Sequence, residues 1–290
     1  LRQGTVNARP TVATVVDLPG YALLDADRGM SAVVGRQAMD IATAKAATNG
    51  IGAVGVRRVS HTGHVGYFAA MALAQGMIGI ATSSATANLA PWGGAERLIG
   101  NNPIGFAIPS PENFPIVFDM ATSTVARGRV LLAARTGDPI PEGWALDEHG
   151  RPTTDAAAAV SGTMRPLGDY KGYGLALMLG LLTNALTGNA PEAEQPDWLE
   201  TARDFTLSML LVAIDPARCL GGGYETAVHA VVTRIKASRP APGMGAVRIP
   251  GEAAHRRARE ARAHGIALAP ALARELDEVA ASLGVPGLSV

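Results

Sequence analysis

Apolar and polar positions change period several times along the 290 residues, and each change marks an element. Positions 11–24 read as one or two strands, interrupted at Pro19-Gly20. Val34, Ala38 and Ile41 then fall on one helical face, with Ser31 placed to cap that helix and Asn49-Gly50 to stop it. Positions 52–56 predict a strand, 67–75 an amphipathic helix, and 77–81 a buried strand. Positions 82–100 predict a long loop of small residues, and a loop of that length inside a compact domain is usually functional. Positions 104–108 and 115–119 predict paired strands, after which Thr122 or Ser123 caps a helix to residue 134, with Gly137 beyond its end.

The second half is patterned less evenly. Positions 138–165 are polar and carry prolines, which predicts an excursion over the surface. Positions 171–186 form the most apolar helix, with Leu175, Met178, Leu179 and Leu182 on one side. Positions 188–204 are polar and acidic, and 206–214 predict a strong strand. A helix at 224–236 carries Val228, Val231, Val232 and Ile235, and a basic helix follows near 256–262. The last helix starts at Pro270, keeps Leu272, Leu276, Val279 and Leu283 in register, and stops at Gly284. Strands and helices mix throughout, so the class is α/β or α+β: a core over 1–235 and a helical tail over 236–290 packed on it.

Composition narrows the partners. Apolar content of 48% is ordinary for a globular protein, while 17% charged residues is low and predicts surface buried against a second subunit. Net charge is zero, so neither nucleic acid nor anionic membrane is favoured. No apolar run approaches the ~20 residues of a membrane span, and no signal peptide is expected. The single cysteine, Cys219, excludes an internal disulfide and a multi-cysteine metal site, and a cytoplasmic location is expected. Only three lysines occur, which makes Lys171 inside a glycine-rich motif conspicuous.

The chemistry concentrates in Ser60-His61-Thr62-Gly63-His64-Val65-Gly66, a turn from strand to helix. Two histidines in a glycine-bearing turn beside a serine fit a catalytic base as well as a structural role. As a metal pair they would need a helix, which the glycines oppose, and no third ligand follows. Gly50-Ile51-Gly52-Ala53-Val54-Gly55 spells the dinucleotide fingerprint, but a helix precedes it and a strand follows. The fingerprint needs the reverse order, so these glycines read as a helix stop and a tight turn. Asp119-Met120-Ala121-Thr122-Ser123 can cap a helix or offer amides to a cofactor. Lys171-Gly172-Tyr173-Gly174 puts a cation at a helix start, where it opposes the dipole and needs an anion: a cofactor phosphate or neighbouring Asp169. Trp92 in Pro91-Trp92-Gly93-Gly94 can stack on a ring or pack in an interface.

Taken in order, His61-Thr62-Gly63, Pro91-Trp92-Gly93-Gly94, Asn102-Pro103, Asp119 to Ser123, Pro141-Glu142-Gly143-Trp144, Lys171 to Leu175 and Pro250-Gly251-Glu252 resemble the malate/L-lactate dehydrogenase family of the non-Rossmann type. The resemblance implies a nicotinamide cofactor, NAD or NADP, on a mixed sheet with flanking helices, and a site completed in a homodimer. It implies His61 as proton acceptor for the hydroxyl of a small 2-hydroxy acid, or donor to the matching 2-keto acid. Asp119, Met120, Ala121, Thr122 and Lys171 would hold the cofactor, joined by Ser84 from a stretch whose family serine falls on Ala85 here. Relatives of this type oxidise ureidoglycolate or sulfolactate, or reduce cyclic imino acids and keto-sugar acids. The family's upstream Ser-His-Gly and following arginine, which help bind the substrate carboxylate, would precede Leu1. An inactive chain that only binds cofactor is therefore the rival expectation.

Overall fold

The computed structural model describes residues 4–197 and 206–288; positions 1–3 of the lead-in and 198–204 of the acidic stretch lie outside the described residues. Strands β1 (Ala13–Asp17) and β2 (Tyr21–Asp25) form a hairpin, followed by helix α1 (Ser31–Asn49) and strand β3 (Ile51–Val59). Helix α2 (Val65–Met71) tightens into a 3-10 turn (Ala72–Gln75) before β4 (Ile78–Ser83). Two short strands, β5 (Ala87–Leu89) and β6 (Ile99–Gly100), lie where a structureless loop was expected. The pair β7 (Ile104–Ile108) and β8 (Ile116–Met120) matches expectation, and α3 (Arg127–Thr136) follows.

The expected surface excursion folds as β9 (Ala145–Leu146), β10 (Pro152–Thr153), α4 (Ala156–Ser161) and β11 (Thr163–Met164). Helix α5 (Tyr170–Gly180) runs into one π turn (Leu181–Ala185), and β12 (Leu207–Ile214) follows. The chain closes with α6 (Pro216–Leu220), α7 (Tyr224–Lys236), α8 (Glu252–His264) and α9 (Pro270–Leu283).

The larger sheet has seven strands in the order β1-β2-β3-β12-β4-β7-β8. Among the described residues of this sheet only β2 and β3 run parallel, and α1 supplies the crossover that a parallel pair requires. The sheet is therefore mixed, as expected. β12 arrives from late in the chain to pair with β3 on one side and β4 on the other, which explains its nearly unbroken apolar run. Helices α1 and α2 bury Met39 and Phe68 against Val54, Val56, Met209 and Leu211 of the sheet. A second sheet, ordered β10-β9-β11-β5-β6, encloses a separate cluster that includes Leu89, Ile99, Ile140 and Met164.

Several local expectations are corrected. Ser31 does not cap α1: Met30 holds that position, and Ser31 is the first helical residue. Neither Thr122 nor Ser123 caps α3, which starts at Arg127 after Ala126; both hydroxyls are buried in the turn before it. Ser123 Oγ instead donates to the Val125 carbonyl and accepts from Asn101, while Thr122 Oγ1 has no partner among the described residues. α2 begins two residues early because the His64 side chain caps it, Nδ1 accepting Tyr67 N–H at 3.1 Å.

Gly50 to Gly55 show why a fingerprint must be read in context. Gly50 ends α1 with φ +84°, a conformation glycine adopts without strain. A Cβ on Gly52 would stand 2.1 Å from the Ala42 carbonyl oxygen and 2.7 Å from Ala46 N, so this glycine lets α1 lie directly on β3. α8 and α9 bury no residue, and the Leu272, Leu276, Val279 and Leu283 stripe is exposed. The tail meets the sheet where Val117 N–H donates to the Pro250 carbonyl at 3.2 Å. Among the described residues no helix is long and apolar enough to cross a membrane.

Candidate active site

A cavity of about 320 Å³ opens where β3, β4 and β8 end, and His61 forms part of its wall. The loop bearing His61 is held from α1. Ser31 N–H donates to Ser60 Oγ at 3.1 Å, and Ser31 Oγ donates to the His61 carbonyl at 2.7 Å. Ser31 thus belongs to the site as a positioning residue, a role that its helix-capping signature concealed. Replacing Ser31 by alanine should cost about 1 kcal/mol of stability and lower turnover several-fold with cofactor affinity retained. Thermal unfolding and single-turnover rates on the same preparation check this.

His61 keeps an exposed surface, yet the protein around it desolvates the imidazole enough to push it below its ordinary 6.5. Nδ1 accepts Gly63 N–H at 3.2 Å, so the ring's own proton lies on Nε2 in this arrangement. To take a proton on Nε2 the ring must release Gly63, which a 3.2 Å contact at an exposed turn allows. His64 is differently employed. Its Nδ1 lone pair is used by the Tyr67 cap, so the Asp119 Oδ2 atom 3.5 Å away is a neighbour and not a hydrogen-bond partner.

Asp119 and Ala121 reach the cavity, while Met120, Thr122 and Lys171 do not line it. The Asp119 carboxylate accepts Gly66 N–H, tying the end of β8 to the start of α2. Thr122 is fully buried and its Oγ1 has no partner among the described residues. Ser84 lines the cavity, but its hydroxyl turns inward: it accepts Ser208 N–H at 2.9 Å, and its proton goes to Ser208 Oγ at 3.2 Å, since Ser208 donates onward to Asn184. Lys171 stands elsewhere, exposed, its Nζ 6.0 Å from the Tyr170 ring centre, and Tyr170 meets Trp92 edge-on at 6.4 Å. The anion expected beside it is not Asp169, which accepts from Arg165 at 2.8 Å.

One further residue escaped the sequence reading, and another belongs to a motif that the sequence reading quoted without giving it a role. Arg127 lines the cavity and donates two N–H groups to Asp197, at 3.0 and 2.6 Å. Its position at the first turn of α3, beyond the motif, carried no signal in the chain. Asn102 is fully buried; its Oδ1 accepts Ala85 N–H at 2.9 Å and its Nδ2 donates to the Ala176 carbonyl at 2.8 Å, fastening the 83–86 wall to α5.

Comparison with known proteins fits this architecture. The profile of the family described as malate/L-lactate dehydrogenase matches residues 1–277. L-sulfolactate dehydrogenase of Methanocaldococcus jannaschii is 36% identical over 286 residues, covering 98% of this chain and 82% of that protein. A sulfolactate dehydrogenase structure from the same organism superposes with a TM-score of 0.87, covering 98% and 82% of the two chains. The malate dehydrogenase structure from Pyrococcus horikoshii is 32% identical with a TM-score of 0.86, covering 99% and 81%. The Δ1-pyrroline-2-carboxylate/Δ1-piperideine-2-carboxylate reductase of Pseudomonas aeruginosa is 39% identical over 226 residues, 78% of this chain and 68% of that one.

The fold and the relatives together define an oxidoreductase that works with a nicotinamide cofactor. The chain belongs to the malate/L-lactate dehydrogenase family.

Proposed function

We propose that this protein is a cytoplasmic, homodimeric dehydrogenase of small 2-hydroxy acids, with His61 as proton acceptor and NAD or NADP as cofactor. The observation that carries the reading is His61 in the wall of a cavity whose one arginine among the described residues is Arg127. About 320 Å³ is at the small end of ligand pockets, enough for the ring end of the cofactor beside a small acid and not for a whole dinucleotide. Asn88, in the cavity wall, keeps a buried acceptor, Oδ1, with no partner among the described residues; it suits a group that brings hydrogen-bond donors, so the residues present fit the cofactor.

The bound nicotinamide supplies the hydride chemistry. Ser84, Asp119, Met120, Ala121 and Thr122 would hold it through the backbone of the cavity wall and the buried turn behind it, with Lys171 on the outer surface for a phosphate. Neutral His61 takes the hydroxyl proton at Nε2, and its depressed pKa keeps the base form populated at and below neutral pH. Arg127 retains N–H groups beyond the two given to Asp197, and these can meet the substrate carboxylate. A panel of malate, lactate, sulfolactate and cyclic imino acids, each with both cofactors, tests the reading. Turnover of none of them, by a chain that binds NAD or NADP, would leave the binding-only alternative. The Pseudomonas reductase, at 39% identity, supports the imino acids as the second substrate class.

The lone, exposed Cys219 suits a reducing compartment. Dimerisation is supported by the outer face of α5 and its π turn, where Met178, Leu181, Leu182 and Leu186 are each about half exposed. Charged substitutions at Leu182 and Leu186 should yield monomer in sedimentation runs where the unaltered chain is a dimer; a monomeric unaltered chain would contradict this part of the proposal.

A further inference from the structure

A chain of hydrogen bonds with a fixed direction runs from behind the cavity to two asparagines, Asn101 and Asn88, in its wall. Ser123 Oγ donates its one proton to the Val125 carbonyl at 2.8 Å. A carbonyl cannot donate, so Ser123 has only lone pairs left for Asn101. Asn101 must therefore present its N–H2 to Ser123, at 3.3 Å, which turns its Oδ1 towards Asn88. That oxygen can be met only by the N–H2 of Asn88, at 3.0 Å. The usual ambiguity between the two ends of an amide is thereby removed for both asparagines. Asn88 Oδ1 is left as an acceptor that cannot turn into a donor.

Asn88 is 5% exposed, lines the cavity with His61, and its Oδ1 has no partner among the described residues. A buried acceptor is costly until a donor reaches it. We propose that Asn88 Oδ1 determines specificity by receiving an N–H or O–H of the ligand, and that the Ser123–Asn101 relay locks it in that role. This rests on the dehydrogenase reading of the same cavity. Two ligand groups carry the required chemistry: the carboxamide N–H2 of the nicotinamide, or a donor on the substrate such as a ring N–H. A carboxylate or sulfonate cannot occupy the spot, so an acidic group belongs on the Arg127 side.

The test is calorimetric binding of the nicotinamide cofactor and of its acetylpyridine analogue, which keeps the carbonyl and lacks the N–H2, to the full chain and to Asn88→Leu. If the cofactor is the donor, the unaltered chain prefers the carboxamide form by about tenfold, and Asn88→Leu erases the preference. If the substrate is the donor, cofactor binding is insensitive to both changes, and Asn88→Leu weakens binding only of substrates that carry the N–H or O–H. A folded Asn88→Leu chain that binds both cofactor forms and every substrate as before overturns the proposal. Should that variant not fold, Ser123→Ala serves. Without the Ser123 proton the two amides are free to flip, so the donor preference should fall; an unchanged preference overturns the proposal equally. Failure of the unaltered chain to bind any nicotinamide defeats the dehydrogenase reading instead. The relay is then judged by side-chain amide NMR: contacts of the Asn88 N–H2 protons with Asn101 uphold the orientation, and their absence overturns it.

Discussion

His61→Asn should lower hydride transfer by about 10²–10⁴-fold while leaving cofactor affinity nearly unchanged. Asparagine keeps polarity and approximate size but cannot take up a proton near neutral pH. The two-sided grip of Ser31 on residues 60 and 61 does not involve the imidazole, so the loop should keep its course. His64→Asn removes a ring whose nitrogen caps α2, and asparagine is itself a good cap. Its effect should be a few-fold at most. Single-turnover rates and separate cofactor-binding isotherms for the two variants distinguish them. A His64→Asn chain that loses its rate while His61→Asn keeps it would move the base to the neighbour.

Gly52→Ala should destabilise the fold by roughly 1–3 kcal/mol or more without weakening cofactor binding by the folded fraction. The added carbon meets backbone atoms of α1, at 2.1 Å from the Ala42 oxygen, and backbone cannot swing aside as a side chain can. Either α1 lifts from β3 or the strand bends, and both loosen the cluster around Met39 and Val54. Thermal unfolding reads the loss, at roughly 2–4 °C per kcal/mol for a large domain. A stable Gly52→Ala chain with cofactor binding abolished would instead put the Gly50–Gly55 stretch in the site.

Helices and strands with a strong period were legible in the chain: α1, β3, β7, β8, β12 and α7 fall where spacing places them. The α/β or α+β class was legible as well, because strands and helices mix along the chain, and the mixed sheet was what the family resemblance implied. The second sheet was not. Its strands are two or three residues long, too short for any period, and are held by pairing between distant segments such as Met164 with Leu89. The family motifs located His61, Asp119 and Ala121 on one cavity. They missed Ser31, Asn88 and Arg127, whose roles come from contacts across many residues of chain, and they included Asn102 without its role. Lys171 is the opposite case. Its motif stood out in the sequence, yet the fold sets its ammonium beside Tyr170 and outside the cavity lining.

The most direct measurement of the central claim is the pH dependence of hydride transfer from a 2-hydroxy acid in a single turnover, for the unaltered chain and for His61→Asn. Burial lowers the His61 pKa, so the imidazole stays neutral, and able to accept the hydroxyl proton, to pH values under its ordinary 6.5. The unaltered chain should therefore hold its rate through neutrality and lose it on an acid limb centred below 6.5. In His61→Asn the residual rate should show no such limb. A limb of the same position in both proteins would mean that another group accepts the proton.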